Sequence, residues 1–431
     1  MIITPTIIFQ ERNCRERCRL RASFTLIELI LAIGIVVALS VIVLLVLRPA
    51  ELLRQARDGV RFSDLQTINK ALLVFQVDQA SGSFGNASTT YVSLPDPAAT
   101  STAGTNCAGI GLPTLPSGYV YHCAASSTLK NADGTGWIPV NFTLITFRSP
   151  ISHLPVDPIN ATSSRNYYTY TPGGSWHLAA SLESDRYKLG GSNDKVSKDG
   201  GSYTSLYEMG TNLTLLPVDY GDSSLMGYWK FDEGSGTNTY DASGRNHNGT
   251  LSGTIVPTWQ SGGSCKSGNC LSFDTNYVQI PGVGFSAAGG GHTMMAWVKP
   301  NVLPVTTSTV FMSFSLPYLT ITSPNSAPFH SININGGSQQ NIQGNTTLSA
   351  GNWYHISGVY DNNTLFVYLN GVSDGSLSVP GSDTISVGSQ LCVGAHQCAT
   401  SYTINGIIDD VRVYNRALSA AEILALYNAI K

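Results

Sequence analysis

Trp353-Tyr354-His355-Ile356-Ser357-Gly358-Val359-Tyr360 and Leu365-Phe366-Val367-Tyr368-Leu369 are two short runs rich in aromatic and β-branched residues, with Asp361-Asn362-Asn363 close between them. Asn370-Gly371 follows directly. Asp, Asn and Gly tolerate the left-handed backbone of tight turns, and Asn-Gly is a strong hairpin signal. The stretch therefore reads as consecutive antiparallel strands. The same grammar extends outward on both sides. Tyr228–Phe231, Cys270–Phe273, Tyr277–Ile280, Thr293–Val298 and Ile407–Tyr414 are further short runs separated by turn residues. About 200 residues from Leu225 onward suit one sandwich with a single core, an antiparallel double-sheet jelly roll closed by a final helix at Ala420–Ile430.

Several strings in this region resemble the concanavalin A-like, laminin-G-like lectin family. They are Tyr228-Trp229-Lys230-Phe231-Asp232-Glu233-Gly234-Ser235-Gly236, Asp241-Ala242-Ser243-Gly244, Asn248-Gly249-Thr250-Leu251, Ala296-Trp297-Val298-Lys299-Pro300, Trp353-Tyr354-His355 and Ile408-Asp409-Asp410-Val411-Arg412-Val413-Tyr414-Asn415-Arg416-Ala417-Leu418-Ser419. The resemblance implies an all-β sandwich over 225–431 that binds a glycan or a surface protein. The family often carries calcium, which takes oxygen ligands. Asp241 in a turn and Asp409 and Asp410 at the last strand are the candidate ligands; the alternative is a turn cap and a solvated pair.

Catalysis is not expected. A glycosidase needs two carboxylates facing one bond, and the only glutamates after Leu225 are Glu233 in a Gly-rich turn and Glu422 in the final helix. Gly371-Val372-Ser373-Asp374-Gly375 has nucleophile-elbow spacing but follows a hairpin signal and reads as a turn.

At the other end, Phe24–Leu47 reads FTLIELILAIGIVVALSVIVLLVL. Leu29 to Leu47 carries no charge, and a helix of that length approaches the ~30 Å hydrocarbon core of a bilayer. Arg12, Arg15, Arg17, Arg19 and Arg21 precede it, which places the N-terminus on the cytoplasmic side. Glu28 inside the apolar run needs a partner. The string Ser23-Phe24-Thr25-Leu26-Ile27-Glu28-Leu29 resembles the N-terminal signal of type IV pilins and pseudopilins. The resemblance implies that a prepilin peptidase cuts between Ser23 and Phe24, and that Glu28 meets the amino group of a neighbouring pilin subunit. Ser23 stands where that family usually has Gly.

The expected fold class is therefore multidomain: leader peptide 1–23, a long N-terminal transmembrane α-helix at 24–47, helix continuation and a small α+β pilin-like head over 48–220, and the all-β concanavalin A-like jelly-roll sandwich over 225–431. Phe62, Leu65, Ile68, Leu72 and Phe75 recur at helical steps and give the continuing helix its buried face. Residues 81–118 read as a long loop. Strands are expected near Tyr119–Ala124, Trp137–Phe147, Asn166–Thr171 and Trp176–Leu182, and 209–224 as a link. Asp194 and Asp199 stand in a Gly-rich stretch where some pseudopilins hold calcium; a solvated loop is the alternative.

Cysteines fall in sequence-local pairs. Cys107/Cys123, Cys265/Cys270 and Cys392/Cys398 look like disulfides of an oxidising compartment, with free thiols as the alternative. Cys14 and Cys18 lie in the leader. The net charge of −3 gives no sign of a nucleic-acid partner. The expectation is a pilin-like subunit, membrane-inserted before assembly and then displayed on the cell surface, whose sandwich serves adhesion. Alternatives are a minor pseudopilin at the tip of a secretion or DNA-uptake machine, and a signal-anchored surface protein that does not assemble.

Overall fold

The computed structural model describes residues 25–430, apart from 101–103, 285, 288–290, 315, 335–337, 362, 380–384 and 387. For 42–47, 286–287, 334, 338 and 385–386 it describes backbone only. The leader, Cys14, Cys18 and the Ser23–Phe24 cleavage position lie outside the described residues. The chain divides into two compact units, the first ending at Leu52 and the second running from Leu53.

In the first unit, helix α1 covers Leu26–Leu47. Thr25 caps it: its hydroxyl accepts from the Glu28 N–H, while the Glu28 carboxylate accepts from the Thr25 N–H and hydroxyl at 2.9 Å each. These bonds hold the Glu28 carboxyl below its ordinary range. The expectation of a long transmembrane helix is overturned. Among the described residues no helix is long and apolar enough to cross a membrane. The helix does not run on unbroken either. Arg48 adopts a left-handed φ of 42°, and helix α2 (Pro49–Asp78) restarts with Pro at a first-turn position, where its missing N–H costs nothing.

In the second unit, α2 buries Asp58, Arg61, Leu65, Ile68, Ala71, Leu72 and Phe75, one face at three- and four-residue steps. That face packs on the head sheet, made of β1 (Thr89–Val92), β2 (Val120–Cys123), β3 (Tyr168–Pro172), β4 (Trp176–Ser181) and β5 (Leu206–Gly210) in the order β2-β1-β3-β4-β5. Trp137, Phe142, Tyr168, Tyr170, Trp176 and Leu178 fill the core beneath the helix. Two expectations fail here. Trp137–Phe147 is not a strand: it is irregular chain, buried at Trp137, Ile138, Val140, Phe142 and Ile145 and exposed at its end, with one 3-10 turn at Phe142–Leu144. The supposed loop 81–118 supplies β1, which pairs in parallel with β2 and antiparallel with β3.

The sandwich has two antiparallel sheets. One runs 372–378, 364–369, 354–360, 292–300, 406–414, 269–273, 258–261. The other runs 338–343, 328–334, 318–321, 309–313, 390–393, 277–281, 249–252, 238–239. Met294, Ala296, Ile356, Val367, Ile408 and Val413 of the first sheet meet Phe311, Leu319, Ile332, Leu391 and Val278 of the second in a dry core. Gly371 lies in a turn, but Val372–Gly375 lie in the strand Val372–Ser378, so the expected turn covers only the first residue of the stretch, and no strand enters a helix there.

The strand Gly406–Tyr414 has two successive neighbours along one edge. Gly406–Ile408 pair with Phe273–Leu271, and Val411–Tyr414 pair with Trp229–Leu225. The hand-over falls on Asp409-Asp410, and Asp410 takes a left-handed φ of 52°. Opposite, the register on 292–300 shifts between Met295 and Trp297. A β-bulge therefore sits at the centre of this sheet.

The outer face of this first sheet is not free. Tyr228, Met295, Val359, Tyr368 and Tyr414 pack with Val92, Tyr167, Tyr203, Leu216 and Tyr220 of the head and with Ile423 and Leu426 of helix α3 (Ala420–Ala429). Arg412 reaches across to the Thr204 hydroxyl at 3.0 Å, and Arg416 bridges Asp222 and Glu422. Head and sandwich thus share a core rather than hanging on a linker.

Candidate functional site

With one outer face covered, the second sheet presents the accessible side of the sandwich. The strands 309–313, 318–321 and 328–334 lie side by side, and alternation sends Tyr318, Thr320 and Phe329 outward. The Thr306–Ser308 segment rises at one border and the segment 394–402 at the other. Together with Val310, Thr322, Ser323, Gln343, His396 and Tyr402 they enclose a groove of about 730 Å³.

Aromatic groups line this groove. Tyr318 and Phe329 are stacked with ring centroids 6.4 Å apart, and Tyr318 meets His396 edge-on at 5.2 Å. His396 in turn meets Tyr402 edge-on at 6.2 Å. Tyr402 is 52% exposed. Polar groups fix the set. Gln339 donates to the Tyr318 hydroxyl at 3.0 Å, and His396 Nδ1 lies 3.1 Å from the Ser313 hydroxyl. Burial holds the His396 imidazole below its ordinary pKa, so it is neutral at pH 7. The Cys392–Cys398 disulfide closes the loop that carries His396, with Cα atoms 5.2 Å apart. Gln397, Cys398 and Tyr402 all hold left-handed backbone there.

Nothing in the sequence analysis pointed to this groove. Its aromatics come from two strands and a loop, and its hydroxyls from Thr and Ser that look like ordinary turn residues. The only local signal was the Cys392/Cys398 pair.

The residues expected to hold calcium go elsewhere. Asp241 accepts the N–H groups of Tyr228 at 3.1 Å, Ser243 at 2.9 Å and His247 at 3.0 Å, so it ties its turn to the first sandwich strand. Asp410 is paired with Arg412 at 2.8 Å. Asp409 accepts the N–H groups of Lys266 and Ser267 with one oxygen. Asp241 and Asp410 stand at opposite ends of Tyr228, whose N–H donates to the first and whose hydroxyl is 3.5 Å from the second. Calcium needs six to eight oxygens around one point, and these oxygens face amides and a guanidinium. The set does not fit the ion, and among the described residues no group of three acidic, His or Cys side chains could hold a metal. Asp194 and Asp199 are likewise spent on local amides: Asp194 accepts from Gly190 and Ser197, and Asp199 from Gly201 and Glu208.

All three expected disulfides form: Cys107–Cys123, Cys265–Cys270 and Cys392–Cys398.

A mixed-charge cavity of about 380 Å³ lies where head, sandwich and α3 meet. Lys230, Asp232, Asp409 and Asp410 line it. Burial, reinforced by the charges of Asp410 and Asp232, pushes the Asp409 carboxyl up to about 8.

Residues 273–424 match the family described as the concanavalin A-like lectin/glucanases superfamily. The C-terminal half is a lectin-like sandwich. The match covers about a third of the chain and leaves the head and α1 outside it. No curated protein matches the chain. Among solved structures, the sandwich resembles domain 4 of AbnA, an extracellular arabinanase from Geobacillus stearothermophilus solved with arabinotriose, at 20% identity and a TM-score of 0.36, over 47% of this chain and 98% of that one. It also resembles the binding domain of Paraclostridial Mosquitocidal Protein 1 (15%, TM-score 0.36, 48% of this chain and 52% of that one) and the botulinum neurotoxin serotype G binding domain (14%, TM-score 0.38, 47% and 50%).

Proposed function

We propose that this protein binds a neutral glycan in the groove of Tyr318, Phe329, His396 and Tyr402, as a surface-displayed binding protein rather than an enzyme. One observation carries the reading: partly exposed aromatic rings, with Tyr402 the most open, flanked by Thr306, Thr307 and Ser308. A sugar ring offers an apolar C–H face and a rim of hydroxyls. Aromatic walls take the face, and hydroxyl, amide and imidazole groups take the rim. Among the described residues no charged side chain lines the groove, which favours a neutral saccharide. The lectin-like family match and the disulfides support an extracellular ligand.

A glycan array probed with the full chain tests this. Saturable binding to a neutral oligosaccharide, lost in Tyr402→Ala with unchanged melting temperature, is expected. Binding that ignores Tyr402→Ala and Tyr318→Ala would move the ligand off this groove.

A second reading concerns display. Apolar side chains are exposed all around the described part of α1, including Leu26, Ile27, Ile30, Leu31 and Val36, and such a surface calls for partner helices. This favours a subunit of a pilin-like assembly, processed at Ser23–Phe24, with the tip of a secretion or uptake machine as its alternative. In assembly, Glu28 would exchange its Thr25 bonds for a neighbour's amino group. Intact-mass analysis of the native protein decides it: a chain beginning at Phe24 is expected, and retention of residues 1–23 counts against assembly.

A further inference from the structure

We propose that the cavity between the head loop 200–202 and the Asp409–Asp410 bulge is a second ligand site, for a small sugar acid. It is separate from the aromatic groove and does not rest on that reading. Its walls come from five parts of the chain, one of them the end of α3 with Ala429 and Ile430. The head gives Gly200, Gly201, Ser202 and Thr214; the first sandwich strand and its exit give Tyr228, Lys230 and Asp232. The disulfide loop gives Lys266 and Ser267, and the bulge gives Asp409 and Asp410. About 380 Å³ is within the range of small-molecule pockets and admits a monosaccharide.

The bulge is what makes the site. In a regular strand, successive side chains point to opposite faces, so Asp409 and Asp410 could not both line one cavity. The left-handed φ of Asp410 turns them to the same side. Such a conformation is costly for a non-glycine residue, and strain of this kind gathers at functional positions. Arg412 neutralises Asp410. Asp409 is 1% exposed, yet only one of its oxygens is occupied; the other takes no hydrogen bond among the described residues.

Lys230 supplies the second observation. Its ammonium sits 4.2 Å from the Tyr203 ring centroid. Among the described residues it forms no hydrogen bond and no ion pair within 4.0 Å, and only the more distant charges of Asp232, Glu208 and Asp410 act on it. A cation over an aromatic face still wants an anionic acceptor. A carboxylate on the ligand would meet Lys230, while ligand hydroxyls would donate to Asp232 and accept from the protonated Asp409 carboxyl, Ser202, Ser267 and Thr214. A bare metal cation is disfavoured because Lys230 already occupies the acidic side. A dianionic phosphate would be repelled by Asp232. A monoanionic, hydroxylated molecule satisfies both halves.

Calorimetric titration of the full chain with D-galacturonate and with D-galactose tests the proposal. Galacturonate should bind at least tenfold more tightly than galactose. Lys230→Met should weaken galacturonate at least tenfold, and Tyr402→Ala should leave it unchanged. Should Lys230→Met fail to fold, amine labelling of the wild-type protein serves instead: galacturonate should protect Lys230 from acetylation. Absence of binding, equal binding of galactose, indifference to Lys230→Met, or undiminished labelling of Lys230 overturns it.

Discussion

Arg61 Nε lies 2.6 Å from Asp157 Oδ2, and both side chains are fully buried. The same guanidinium reaches Asp58 and Glu183 at 2.7 Å each. Asp58 and Asp157 spend their remaining acceptor capacity on the N–H groups of Glu183, Ser184, Ile159 and Asn160. One arginine on α2 therefore fastens two head segments that are far apart in sequence.

Removing Arg61 leaves two buried carboxylates without their cation. Arg61→Met should destabilise the protein by ~3–5 kcal/mol, the usual cost of breaking a buried pair by deleting one partner. Chemical denaturation of wild type and variant measures it. A change under 1 kcal/mol would show the network to be slack.

Head and sandwich should unfold together. Tyr203 and Tyr220 on one side and Tyr228, Met295 and Tyr414 on the other bury one another, so neither part keeps its surface dry alone. Calorimetry of residues 53–431 should give a single cooperative transition. Two well-separated transitions would mean that the shared core contributes little.

The Cys392–Cys398 bond should matter more to binding than to folding. The two cysteines are six positions apart, and short loops give the low end of the usual range, ~2 kcal/mol. Yet the loop holds His396 against Tyr318 and Tyr402. The double Ser variant should lose only a few degrees of melting temperature and at least tenfold in groove affinity, ~1.4 kcal/mol. Equal affinity would show that the loop is rigid without its bridge.

Stability should peak in mildly acidic to neutral solution. Burial drops His330 and His355 to about 3, well below the ordinary ~6.5. The unfolded chain therefore takes up their protons first, and stability falls as pH drops from ~6.5 toward 3. Burial raises Asp409 to about 8, from an ordinary ~3.9. Stability from keeping it protonated is whole at low pH and is lost as pH rises toward 8. Melting temperatures across pH 4–9 should show both limbs, with Asp409→Asn flattening the alkaline one. An unchanged alkaline limb would refute this assignment.

Much of the sandwich was legible. Runs such as Thr293–Val298 and Leu365–Leu369 lie within observed strands because β-branched and aromatic residues alternate between turn signals. The Ser- and Gln-rich strands 328–334 and 338–343 escaped, since their outward faces are polar and their inward faces too short to show a period. The shared core escaped for a different reason. Met295, Val359, Tyr368 and Tyr414 face away from the sandwich interior, so their burial depends on a second body that no local pattern reveals. The three aspartates were marked as ligands by their type, but backbone amides and Arg412 claim them, and only the fold brings those partners near. Asp410's reversed φ had no signature at all.

Because the sandwich is welded to the head, its groove has a fixed bearing on that body. A target would be caught without the entropic loss of stilling a swivelling arm. The same stiffness removes the search volume that a flexible tether provides. If the proposed glycan binds there, recognition would be selective for how that glycan is presented, its angle and its standoff, as well as for which sugar it is.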